Sequence, residues 1–201
     1  MTDPRDLVLG DQAVLDADGR CHLVDSSEGT TLATWPDLGR WAATWLEEDR
    51  AGTIGAAYHF ACAMTAEPAP WVMQALTVLA TAATGPDAEA RQIGMVGAGP
   101  LEDLLSHDGH GEAFLDAVLQ AVDTCQALAA GLPHVWLGDG APPHVRQRLA
   151  VLGARDLVAE RSMSETEAIA YVADRIARGW SEPPSDGEAV SPDGSDPPRP
   201  D

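Results

Sequence analysis

Lysine is absent from this chain of 201 residues, and all 12 of its basic side chains are arginine. That excludes a lysine Schiff base, a phosphate-loop lysine and a lysine general base. Asparagine is absent too and isoleucine is scarce, whereas alanine, glycine, proline, aspartate and arginine abound. Codon bias in a GC-rich bacterial genome gives this kind of composition. Positive charge is short overall: 32 acids outweigh the arginines and leave a formal net charge of -20. A nucleic-acid backbone needs a basic footprint, and an anionic membrane surface needs the same, so neither is expected as a partner. Cysteine is limited to Cys21, Cys62 and Cys125, an odd and scattered set with no C-x-x-C. The expectation is reduced thiols in a cytoplasmic protein.

Long apolar runs are missing too. The two longest, residues 51–64 and 71–83, are interrupted by glycine, histidine, glutamine or threonine. They are too short and too broken to cross a bilayer. Residues 1–6 lack the basic start and apolar stretch of a signal peptide. Catalytic motifs are equally sparse. There is no G-x-S-x-G nucleophile elbow and no H-E-x-x-H zinc helix. Asp16-Ala17-Asp18-Gly19 suggests a calcium loop, but with Gly19 at the sixth position the first ligand would be Val14. Valine cannot bind calcium, and the EF-hand reading fails. His107-Asp108-Gly109-His110 has metal-ligand spacing, yet Gly109 interrupts the helix that would align the two rings. These histidines are read as loop residues, and no metal or cofactor is expected.

What the chain does hold is a 45% hydrophobic fraction arranged in two periods. Up to about residue 32 the period is two. Residues 13–17 and 20–24 flank Asp18-Gly19, which predicts a β-hairpin with a two-residue type I′ turn, and Leu7-Val8-Leu9 offers a third strand. From Pro36 the period becomes 3.6. Leu38, Trp41, Ala42, Trp45 and Leu46 share one helical face. Ile54, Ala57, Tyr58, Ala61 and Met64 mark a second helix, and Trp71, Val72, Ala75, Leu76, Leu79 and Ala82 a third. A fourth covers about residues 87–96, and a fifth opens at Pro100. Phe114, Leu115, Val118, Leu119, Val122 and Cys125 mark a sixth, ending near Gly131. A seventh covers residues 144–152, and a last one carries Ile169, Val172, Ala173 and Ile176 behind a Ser164/Glu167 capping box. The fold expected is mainly α: an irregular helical bundle or array of about seven to eight helices with a small N-terminal β-hairpin element. The expected divisions are residues 1–34 for the β element, 35–180 for the helical domain and 181–201 for a disordered acidic tail. That tail holds six prolines, six acids and almost nothing apolar.

Between the fourth and fifth helices lies Gly97-Ala98-Gly99-Pro100-Leu101-Glu102-Asp103-Leu104-Leu105. Its glycines resemble a nucleotide loop, but a helix precedes it and Glu102 stands where the third glycine belongs. It is read instead as a helix stop at Gly97, a turn at Gly99 and a helix start at Pro100. Glu102 and Asp103 then complement the helix dipole from the first turn. Leu101, Leu104 and Leu105 are expected in the core.

The run Ala98 to Leu105, with Trp41 and Trp45 before it and Phe114 and Trp136 after it, resembles an uncharacterised bacterial family, a domain of unknown function. The resemblance covers roughly residues 37–152. It implies an α-helical fold, and it supplies no activity and no catalytic residue. Function is therefore expected to be non-catalytic: a protein-interaction module, in one version an immunity-type or inhibitor protein masking a basic partner. Glu102, Asp103 and Trp136 are the candidate contact residues. The competing expectation is a hydrolase-like enzyme with a dispersed site of Glu102, Asp103, His107 and His110.

Overall fold

A computed structural model describes residues 11–106 and 110–177 of the chain. It divides into two compact units, residues 1–163 and 164–201. The first opens with three antiparallel strands, β1 (Asp11–Leu15), β2 (Cys21–Asp25) and β3 (Thr30–Trp35), in that spatial order. The expected third strand at Leu7–Leu9 lies outside the described residues, and the third strand is formed by Thr30–Trp35. The first turn also differs from expectation. Among the described residues only glycines have positive φ, and Gly19 alone does so here, at 81°. A type I′ turn needs Asp18 there too. The chain instead closes a three-residue loop, Ala17 to Gly19, around the Asp16 side chain. The Asp16 carboxylate accepts the amides of Asp18 (2.9 Å) and Arg20 (2.8 Å), and Gly19 N–H donates to the Asp16 carbonyl. Register slips between Leu23 and Val24, which leaves Leu32 as an extra, exposed residue on β3.

Alternation along β2 aims Cys21 and Leu23 inward, and both are buried. Burial pushes the Cys21 thiol up to about 12, so it packs as a small hydrophobe. The sheet meets the helices through α1 (Leu38–Ala51) and α2 (Ala56–Ala66). Phe60 on α2 is the joint: its ring lies 5.5 Å from Trp35, 5.1 Å from Trp41 and 5.9 Å from Trp71. Trp41 also donates its indole N–H to the Ala57 carbonyl at 3.0 Å.

Helix α1 starts where Asp37 accepts the Arg40 amide and stops at left-handed Gly52. Its expected face, Leu38, Trp41, Ala42, Trp45 and Leu46, is buried throughout. Helix α2 has no capping side chain of its own. Glu48 of α1 supplies one, accepting the amides of Ala57 (3.2 Å) and Tyr58 (3.0 Å). Helix α3 (Val72–Ala83) packs on α1 with Val72, Ala75, Leu76 and Leu79 fully buried.

The central motif departs from the expected stop and restart. Helix α4 (Gln92–Val96) passes through a π-type turn, Gly97–Leu101, into α5 (Glu102–Ser106). Gly97 is itself helical (φ -67°, ψ -55°), and the only non-helical residue of the turn is Gly99. Pro100 has no N–H, and its ring crowds the preceding turn. The helix widens to accept it, with Glu102 N–H reaching back to the Gly97 carbonyl. Leu101, Leu104 and Leu105 are fully buried.

The long sixth pattern splits in two: α6 (His110–Thr124) and α7 (Gln126–Gly131), broken at Cys125, whose backbone is extended. Two short strands and a short helix went unexpected. Strand β4 (Trp136–Leu137) pairs in parallel with β5 (Arg155–Asp156), and α8 (Pro143–Val151) connects them. Helix α9 (Leu157–Arg161) follows, capped by Asp156 through the amides of Val158 and Ala159. In the second unit, α10 (Glu165–Ala177) begins at the expected capping box, where Ser164 donates its hydroxyl to Glu167 at 2.6 Å. The acidic tail from residue 181 lies outside the described residues.

Candidate functional site

Glu102 opens α5 and Trp136 opens β4, 34 residues apart, and the fold brings them together. Strand β4 spends one edge on β5, to which the Val135 carbonyl contributes by accepting Arg155 N–H at 2.8 Å. The Trp136 amide donates instead to Glu102 Oε2 at 2.8 Å. The carboxylate thus covers the strand's open edge, and its position depends on the widened turn just before it. Burial holds the Glu102 carboxyl above its ordinary value; the Trp136 N–H opposes that rise, and Asp103 adds to it.

The Trp136 side chain turns outward and is 38% exposed. The Arg155 guanidinium lies over its ring, 4.8 Å from the centroid. Arg155 is held there by a two-point contact with Glu160, 2.6 and 3.0 Å. On α8, Arg146 pairs with Asp156, the neighbour of Arg155 in β5, at 3.2 Å and donates to the Ala141 carbonyl at 2.6 Å.

Asp103, exposed on α5, stands beside α2. There the Tyr58 phenol is raised first by the neighbouring Cys62 thiol and then by burial. The Cys62 thiol is raised by burial and, after that, by Asp103. These shifts suppress the thiolate, the opposite of what a nucleophilic cysteine needs. All three cysteines are free.

Of the dispersed acid and histidine set, His107 lies outside the described residues, His110 begins α6, and Glu102 is engaged by the β4 edge. No group of three or more His, Cys, Asp or Glu side chains among the described residues is placed to hold a metal ion. No helix among them is long and apolar enough to cross a membrane.

Sequence reasoning singled out Glu102 and Trp136 separately. It missed their contact and missed Arg155, whose signal would have been recognition of β4 and β5. Two-residue strands carry no readable period. No curated protein and no solved structure matches the chain. The model of a family of unknown function, DUF6869, matches residues 56–157, about half of the chain, and the chain belongs to that family.

Proposed function

We propose that the protein is a non-catalytic cytoplasmic interaction module that binds a basic protein, with Trp136, Glu102 and Asp103 at the contact. The observation that carries this is the exposed Trp136 ring, which already accepts one guanidinium from Arg155 at 4.8 Å. An arginine from a partner meets the same chemistry on the remaining ring surface, within a chain of net charge -20. Tryptophan in such a setting is the residue type that most often dominates a binding interface. An immunity-type or inhibitor protein uses this arrangement to mask a basic active surface.

The test is affinity capture from the native host with wild-type and Trp136→Ala protein as baits. A basic protein retained by the wild type and lost from the variant supports the proposal. A retained partner that is acidic, or one held equally by both baits, refutes it.

A further inference from the structure

A groove of about 150 Å³ lies where the end of α1, the loop before α2 and helix α4 meet. Its apolar wall is Trp45, Ile54, Tyr58 and Met95, and Glu48 and Asp49 border it. Three of the four apolar side chains are left open to solvent: Ile54 is 62% exposed, Met95 42% and Tyr58 39%. They form a cluster, which single exposed hydrophobics do not. Trp45 is only 3% exposed, and its indole N–H has no hydrogen-bond partner. A buried donor without an acceptor costs free energy.

The frame of the groove is fixed. Arg91 donates to the Asp49 carboxylate (2.9 Å) and to its carbonyl (2.8 Å). The buried Gln92 amide donates to the Leu46 carbonyl (2.9 Å) and to Asp49 (3.1 Å). Glu48 is held by the first amides of α2. Tyr58 carries the surface onward to Asp103, which acts on both Tyr58 and Cys62. Groove and acidic α5 therefore share Tyr58 as a border.

We infer that this groove seats one apolar side chain, leucine or phenylalanine in size, from a basic segment of the partner protein. Size sets the first part: an apolar cavity of roughly 150 Å³ takes a group as large as benzene. Charge sets the second. Glu48 and Asp49 line the groove and Asp103 acts on its Tyr58 wall, whereas the arginine beside it, Arg91, is already paired with Asp49, in a chain that is strongly acidic overall. The inference rests on the reading of the protein as a binder of basic proteins and specifies the sequence that it would recognise.

The test uses the full-length protein, uniformly ¹⁵N-labelled, titrated with the capped peptide Arg-Arg-Leu-Arg-Arg. Two control peptides carry Ala in place of Leu, or Glu in place of Arg. The expected result is a saturable shift of the Trp45 indole N–H resonance with the leucine peptide. Affinity should fall tenfold or more with the alanine peptide, as expected for removing three buried carbons, and vanish with the glutamate peptide. Ile54→Ser and Met95→Ser, both at exposed positions, should each weaken the leucine peptide to the level of the alanine one. If the Trp136 and Asp103 resonances move while Trp45 does not, the groove inference is overturned and the proposed function stands. If Trp45 moves alone, the groove stands and the proposed site at Trp136 fails. Equal binding of the glutamate peptide, or no binding by any peptide, overturns the inference. So does a Trp45 shift that tracks protein concentration without peptide, because a second copy then fills the groove.

Discussion

One methyl group added at Gly97 probes a close approach of two backbones. A Cβ there would overlap the carbonyl oxygen of Gly131, at the end of α7, and would stand 2.9 Å from the His134 Cβ. Neither obstacle can rotate away, since one is backbone and the other is attached to it. The π-type turn and α7 would have to part by on the order of an ångström, loosening Val96, Leu101, Leu128 and Leu132, all fully buried. Overpacking of this kind costs about 1–3 kcal/mol. Alanine's better helix propensity returns up to about 1 kcal/mol. Because the clash is with rigid atoms, the upper part of the range applies, and Gly97→Ala should lose about 2 kcal/mol net. For a chain of this size that lowers Tm by about 4–8 °C. The control is the facing residue. A Cβ on Gly131 would meet Ile93 Cδ1 at 3.7 Å and Gly97 Cα at 3.8 Å, ordinary contacts, and its φ of -78° suits alanine. Gly131→Ala should therefore be neutral or stabilising by up to about 1 kcal/mol. Thermal and urea unfolding of both variants decides the matter. A Gly97→Ala protein as stable as wild type, or a Gly131→Ala protein equally damaged, refutes the close-approach account.

Leu104→Ala removes a fully buried side chain and should cost about 2–5 kcal/mol in urea unfolding; a neutral result places the motif outside the core. Glu102→Ala strips the acceptor from the Trp136 amide and should cost about 1 kcal/mol, whereas Glu102→Gln keeps an oxygen there and should cost less. The raised Glu102 carboxyl binds its proton more tightly in the folded chain than in the unfolded one. Stability contributed by this group is therefore full below the ordinary glutamate value of about 4.3 and declines as pH rises through the raised one. Glu102→Gln should flatten that decline, and an unchanged pH profile would show that the carboxyl is not perturbed. Gly19→Val forces a β-branched residue to φ near 81° and should cost about 1–2 kcal/mol, read as faster amide exchange at Cys21 and Leu23; unaltered exchange would refute the left-handed turn.

Helix faces were legible wherever one uninterrupted period governed burial. The five apolar positions of α1 and the three leucines after Pro100 are buried as their spacing implies. Ile54 and Tyr58 show where that logic stops. Their spacing puts them in phase with Ala57 and Ala61, but α2 begins only at Ala56, so Ile54 precedes the helix and both remain exposed. Gly97 was read as a stop because a local sequence view offers glycine only local roles. Its actual constraint is a carbonyl 34 residues away. The Glu102–Trp136 contact has the same character. At the first turn, Asp18-Gly19 was the visible signal, whereas Asp16 organises the loop with its side chain. Two-residue strands such as β4 and β5 are set by tertiary pairing and leave no pattern to find.

Glu48 reaching across to cap α2 has a consequence for what can be transplanted as a piece. The family match begins at residue 56, the first residue of α2. Everything upstream lies outside it, including the carboxylate that holds the Ala57 and Tyr58 amides and the indole bound to the Ala57 carbonyl. A fragment cut at residue 56 would start with a frayed helix and bare the side of α3 that α1 covers. The matched span is thus smaller than the packed unit to which it belongs. A fragment that omits α1 would need another carboxylate and another apolar lid at the same corner.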